Sequence, residues 1–466
     1  MVVAAAMLLT VLAASGLVVE KGFDTPSTAK YLVTVGAPLL VALLALANDP
    51  LRALVALTIV IAPFNFIGTF ADIEVSPTML LLLGGVVLAV FDERVVPGAA
   101  RPHLGGAAAL ALALLVGPVA TSVDPFKYGM WVVQLAAAGW LAYHVARRPG
   151  GLEVILWAIV GAAVVQAAVA VWGFKTGQRL DLYDASGQAA LGRDDFFNFG
   201  DENRAAGGMP DPISLGNVLA LACPVALVLA HRARTLGLRL AVAGCGTLIV
   251  LGLMLTFSRM SWIAAVVGIA VAIMLLPLSR RVLSIVALAG LMFVTLSAGL
   301  AFGGNAITQR WDSIAHPTAR QNSTSEGDKT RVRLWGAAWA TARANPVDGV
   351  GFGNAPEALA SRTRGVKAGT HAHSTYLQFA AEGGLMGALA LAAVILAAGL
   401  DLLRGRFSDP LLTAGLTGAA VSVLVVWATD FTVQYVPVGA IMASLLGAIA
   451  GQSRVRLRDV VSAPTR

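Results

Sequence analysis

Apolar runs of about 17 to 24 residues recur along this 466-residue chain, and that recurrence constrains its fold more than any other feature. At about 1.5 Å per residue, a run of this length coils into a helix that crosses a hydrocarbon layer of about 30 Å. In lipid each backbone N–H and C=O must find a partner inside the protein, which favours helices over open strands. Composition agrees: 57% of residues are hydrophobic and 13% are charged, against about 25% charged in a soluble domain. The sequence therefore predicts an all-α polytopic membrane protein with about 12–14 transmembrane helices, whose first partner is the lipid bilayer. A formal charge of +7 carries little weight toward nucleic acid in such a chain, and no nucleic-acid partner is expected.

Spans are predicted near 1–19, 31–47, 52–70, 78–91, 104–121, 128–146, 152–174, 213–231, 238–257, 260–277, 282–302, 373–399, 410–429 and 433–450. They divide the chain into an N-terminal bundle (1–174), a first long loop (175–212), middle helices (213–302), a large loop (303–372), C-terminal helices (373–450) and a tail (451–466). The N-terminal run MVVAAAMLLTVLAASGLVV lacks a basic leader and reads as an uncleaved first span. Cys223 and Cys245 fall inside spans and read as small packing residues. Basic residues concentrate in alternate loops, for example Arg147/Arg148, Arg232/Arg234/Arg239, Arg280/Arg281 and Arg404/Arg406. The short loops of the other set hold only Lys21, Lys30, Lys127 and Arg259. The positive-inside rule then puts both termini in the cytoplasm and both long loops outside.

The large loop has internal order. In TRVRLWGAAWATARANP, Leu334, Ala338 and Ala342, with Trp335 and Trp339, repeat at helical spacing and predict an amphipathic helix stopped by Asn345-Pro346. The Gly-rich DGVGFGNAPEAL then turns before a short helix. Tryptophans on a periodic face imply packing on the bundle or a place in the membrane interface.

Ionisable residues converge on the outer side. Arg204 ends the first long loop, Arg259 interrupts two apolar runs in LMLTFSRMSWIAAVV, Arg331 and Arg333 open the loop helix, and His371 and His373 precede a span. Arg259 opposes the positive-inside pattern; it reads either as snorkelling to headgroups or as part of an anion site, since guanidinium binds phosphate oxygens bidentately. The His-Ala-His pair is a weak metal signature with no third ligand at suitable spacing; a cap and a general base are the other readings, and a base fits imidazole chemistry best. Along the next helix Ala380, Gly384 and Gly387 lie near the face of His373, where small residues let a neighbour approach closely. Glu382 points away from that face, paired or in a polar cavity. The acidic cluster Asp181, Asp184, Asp194, Asp195, Asp201 and Glu202 matches no hard-cation loop and reads as solvated. No metal and no cofactor are expected.

Four segments resemble one family: RAAGGMPDPISLGNVLAL (204–221), TFSRMSWIA (256–264), RVRLWGAAWATARANPVDGVGFG (331–353) and HAHSTYLQFAAEGGLMGAL (371–389). Their order and the large loop before the last are similar to the O-antigen ligase/polymerase superfamily of bacterial membrane glycosyltransferases, which have a GT-C-like helical fold. The resemblance implies a glycan moved from an undecaprenyl-diphosphate-linked donor to a glycan or lipid-glycan acceptor at the outer face of the inner membrane, without metal and with inversion. It implies His373 as the residue essential for transfer and Arg204 and Arg259 as holders of the donor diphosphate. Arg331 matches the Arg-x-x-x-Trp start of the loop helix. His371, Arg333, Tyr376 and Glu382 are possible supporting residues. Departures fall at Ser374, where the family more often has Asn, at Met260, and in 204–217, which lacks the common Pro-Asn.

Rival readings are a lipid-linked oligosaccharide flippase and a protein O-oligosaccharyltransferase. A flippase is expected to have related halves and midplane charges, and this chain has one long outer loop with its basic residues at one interface. The residues do not separate ligase from polymerase.

Overall fold

The computed structural model describes residues 49–64, 68–70, 73–92, 103–177, 198–199, 202–286, 289–290, 297, 323–363, 370–405 and 409–452. The spans read at 1–19 and 31–47, most of that at 282–302 and the tail from 453 lie outside these residues, as does most of the acidic cluster. The described helices are α1 (Pro50–Ile61), α2 (Pro77–Phe91), α3 (His103–Ala120), α4 (Pro125–Ala146), α5 (Gly151–Thr176), α6 (Pro212–Arg232) and α7 (Leu236–Leu255). They continue with α8 (Arg259–Leu275), α9 (Ser323–Ala344), α10 (Ala355–Arg362), α11 (Thr375–Gly405), α12 (Pro410–Thr429) and α13 (Val436–Gln452). Of these, α3, α5, α6, α7, α11 and α12 are long and apolar enough to cross a membrane. The chain is an all-α polytopic membrane protein. Two short antiparallel hairpins, Gly68–Phe70 with Ile73–Val75 and Asn198–Phe199 with Glu202–Asn203, decorate its loops.

Helix starts repeat one device. α1, α4, α6 and α12 each open on proline after an aspartate whose carboxylate accepts backbone N–H groups of the first turn. Proline at that position has no N–H to lose, and each cap contributes about 1 kcal/mol. The run read as a span over 52–70 is shorter than expected: α1 stops at Ile61 and a 3-10 turn covers Ala62–Phe64. Pro63 supplies the reason, since it lacks an N–H and crowds the carbonyl four residues back.

α4 and α13 run side by side in the same direction, Leu135 beside Gly439 and Ala146 beside Gly451, so closely that a Cβ on Gly447 would overlap the Gly139 carbonyl. At the end of the bundle away from His373, charges are grouped. The buried Arg148 binds Asp49 and, at 2.8 Å, Asp92. Arg232 joins Glu153 on α5 to Asp409 at the start of α12. Asp401 of α11 accepts from the backbone N–H groups of His103 (3.2 Å) and Leu104 (2.9 Å), so one helix caps another.

The decisive irregularity lies in α11. Gly384 leaves helical geometry (φ 55, ψ -143), and an unbroken helix would have joined Leu385 N–H to Ala381 O and Met386 N–H to Glu382 O. Those groups are satisfied instead by the loop after α9. Leu385 donates to Pro346 O (2.8 Å) and Met386 to Val347 O (3.1 Å), while Val350 donates to Ala381 O (3.0 Å) and Gly351 to Glu382 O (2.9 Å). The segment 346–353 is thus spliced into the helix. Its contact is loop on helix, where the small residues of α11 had suggested helix on helix. Phe352 fills the space beneath, stacked on Tyr128 (5.9 Å) and edge-on to Trp131 and Phe379 (5.7 Å each).

Gly349 and Gly351 have positive φ, and a Cβ on either would overlap backbone of Glu382 or Thr121 respectively. Gly351→Ala is expected to lower unfolding free energy by at least ~2 kcal/mol, from left-handed strain plus overlap. Gly336→Ala, on the open face of α9, should raise it by about 1 kcal/mol. Thermal unfolding of the two variants in nanodiscs checks the contrast; equal effects would contradict the splice.

Candidate active site

The site is built where the ends of α6, α7, α8, α11 and α12 meet. Residues 204–211 approach it as a pinned strap. Gly208 N–H donates to Gln166 Oε1 (2.8 Å), Ala205 N–H to Leu255 O (2.9 Å) and Arg204 Nε to Thr256 O (3.0 Å). The last carbonyls of a helix lack partners and carry the negative end of its dipole, so the Arg204 guanidinium is held by the end of α7. Burial pushes Arg204 down to about 10, with Asp211 pulling it back up and Arg331 opposing. It stays charged at neutral pH, and Arg331 stands close enough to act on it.

Thr256 is also the hinge into α8. Phe257 follows in left-handed geometry (φ 51), Ser258 N–H donates to Thr256 Oγ1 (3.2 Å), and Arg259 opens the helix. Arg204 therefore reaches the turn that carries Arg259, binding the carbonyl three residues before it.

A polar chain runs from this turn to the histidine. The Ser258 and Ser261 hydroxyls bond at 2.8 Å, Ser261 Oγ donates to Asn217 Oδ1 (2.8 Å), and Asn217 Nδ2 donates to Asp430 Oδ2 and Thr432 Oγ1 (3.1 Å each). Asp430 Oδ1 lies 3.7 Å from His373 Nδ1, ion-pair distance but longer than a hydrogen bond. The Asp430 carbonyl accepts from Thr375 N–H (3.0 Å) and Oγ1 (2.7 Å), fixing the start of α11 against the end of α12. His373 is left-handed (φ 48), and its carbonyl accepts from Trp335 Nε1 (3.3 Å). Ser374 caps α11 through Leu377 N–H (3.4 Å), a task asparagine also performs well, so the departure at this position costs the helix nothing.

The supporting residues separate. Arg331 and Trp335 face the bundle, whereas Arg333 is exposed. Gln434 Nε2 donates to His371 Nε2 at 2.9 Å, which puts the proton of the neutral ring on Nδ1, an enclosed atom without a hydrogen-bond partner among the described residues. Burial and the nearby His373 push His371 down to about 4. Tyr376 donates to Leu424 O (3.0 Å) and ties α11 to α12. Glu382 accepts from Gly353 N–H and Gln378 Nε2 (2.9 Å each) and holds the spliced loop.

Asp211, Asn217, Ser261 and Asp430 escaped the sequence reading. Asp430 had a signal, a lone carboxylate between two apolar spans; Asn217 and Ser261 look like ordinary small polar residues in apolar helices. Asp211 caps α6 through Ile213 N–H (2.8 Å) and Ser214 N–H (2.9 Å), and burial with Asp430 nearby raises its pKa. Among the described residues, no three His, Cys, Asp or Glu side chains group as a metal site requires.

Residues 244–392, about a third of the chain, match the family described as O-antigen ligase. Over that stretch the chain is similar to the O-antigen ligase family. The O-antigen ligase match takes in Arg259, Arg331, His371 and His373, while Arg204 precedes it and Asp430 follows it. No curated protein matches the sequence.

His371 yields a pH prediction. Its pKa in the folded protein is below the free value of 6.5, so its contribution is intact above pH 6.5 and is lost as pH falls toward about 4. Thermal unfolding between pH 7 and pH 4 should decline less steeply in His371→Gln than in the native chain.

Proposed function

We propose that this protein transfers a glycan from an undecaprenyl-diphosphate carrier to an acceptor hydroxyl at the outer face of the bacterial inner membrane, by metal-independent inverting displacement. The observation that carries the reading is the grouping of Arg204, Arg331 and the turn of Arg259 at one end of a hydrogen-bonded chain that ends on Asp430, 3.7 Å from His373. The match to the O-antigen ligase family supports the same class.

In this mechanism the acceptor oxygen attacks the anomeric carbon as the bond to the diphosphate oxygen breaks. The hydroxyl proton passes to His373 Nε2, because Nδ1 faces Asp430. The bonding electron pair leaves on the diphosphate, where Arg204 and Arg259 meet the developing charge and Arg331 adds a third cation. Preorganised donors of this kind each lower a barrier by about 3 kcal/mol. Asp430 orients the imidazole and stabilises its protonated form, and Asn217 holds Asp430 in turn. Asp211 balances Arg204 before the donor arrives. The alternating distribution of Lys and Arg supports the outer orientation.

Reconstituted membranes given labelled undecaprenyl-diphosphate repeat units test the reading. His373→Ala should lose about 10²–10⁴ in rate and Arg204→Ala about 10², with activity insensitive to chelator. Full transfer by His373→Ala would overturn it. Label found in longer glycan chains identifies a polymerase; label on a lipid-glycan core identifies a ligase.

A further inference from the structure

The two tryptophans of α9 face different ways. Trp335 turns inward to the His373 carbonyl, and with it Leu334, Ala337 and Ala338 pack on Ala372 and Ala381. Trp339 is 55% exposed, Val332 62% and, just past the helix, Val347 55%. Exposed Lys329, Arg333 and Arg343 share this outer surface, against the acid Asp348. Exposed tryptophan and valine among basic residues are the composition of a helix lying in a membrane interface.

The depth of this surface can be read from α11. The part after the break, Leu385–Gly405, is about 31 Å long at 1.5 Å per residue and matches a hydrocarbon core of about 30 Å on its own. Its exposed leucines form a stripe, Leu385, Leu389, Leu396, Leu400 and Leu403, at helical spacing toward lipid. The stripe begins at the residue whose N–H is bonded to Pro346 O, beside the exposed Val347. The lipid-facing surface thus continues from the span onto the spliced loop and from there to the C-terminal end of α9.

We infer that the outer face of α9 is a docking surface for anionic lipid headgroups of the leaflet at the site's end of the bundle, with Trp339 and Val347 at the acyl boundary and Lys329, Arg333 and Arg343 among the headgroup phosphates. A membrane contact on one face of α9 would set the height of Arg331 and Trp335 on the other. The surface stands independently of the transfer reaction.

Nitroxide labels test it in the full chain with Cys223→Ser and Cys245→Ser, reconstituted into vesicles of phosphatidylcholine with or without phosphatidylglycerol. A label at Ala340→Cys, and separately at Trp339→Cys, should collide preferentially with oxygen over a water-soluble nickel chelate, as one at Leu389→Cys does. A label at Ser361→Cys, on exposed α10, should show the reverse. Phosphatidylglycerol should deepen the Ala340 label, and Arg333→Gln with Arg343→Gln should remove that shift. A label at 340 as water-accessible as that at 361 overturns the proposal, as does a depth indifferent to phosphatidylglycerol.

Discussion

Four backbone hydrogen bonds between residues 346–351 and the break in α11 organise the site end of this protein. A helix interrupted near lipid would leave carbonyls and N–H groups unpaired, each costing several kcal/mol. Here the loop supplies partners for the Ala381 and Glu382 carbonyls and the Leu385 and Met386 N–H groups, and Glu382 adds a side-chain bond to Gly353 N–H. The consequences spread outward. Phe352 is set into its aromatic pocket, α10 begins where the loop ends, and α9 is held at its C-terminal end close to α11. Trp335 owes its position over His373, and Arg331 its position near Arg204, to that anchorage.

A second constraint is strain held at the site. Phe257 and His373 are the non-glycine residues of positive φ among those described, and each left-handed residue costs about 1–2 kcal/mol. Phe257 precedes Ser258-Arg259, and His373 is the proposed base. Both are fixed from several sides: Phe257 between the Thr256 hydroxyl turn and the start of α8, His373 between the Trp335 bond and the Thr375–Asp430 bonds. Strain of this kind persists only where surroundings over-determine the backbone. The same surroundings hold the direction of the side chains that follow.

What could be read beforehand depended on the range of the interactions. Hydropathy located α3, α5, α7 and α12 closely because a span is a local property of one run. The stop at Asn345-Pro346 and the turn through Gly349, Gly351 and Gly353 were local as well. Arg204 binds the turn that launches Arg259 across a sequence separation of 52, a contact that no local pattern shows. Missed were residues whose meaning exists only through distant partners: Asn217 is defined by Asp430, and Ser261 by Asn217. The pairing of Glu382 is not legible in the sequence because its partner, Gly353, lies in a loop that no periodicity connects to it. Pro63 shortened a predicted span because apolar content masked a breaker.

The splice in α11 also dictates an order of assembly. The segment 346–353 leaves the ribosome before the helix that receives it, and has no partner until α11 exists. α11, for its part, breaks its own ladder at Gly384. Its first turns must therefore keep their open carbonyls hydrated near the membrane surface until the earlier segment arrives. The pocket around His373 therefore waits on a join between two stretches of chain that each enter the fold unfinished, and on Asp430 from the chain beyond α11.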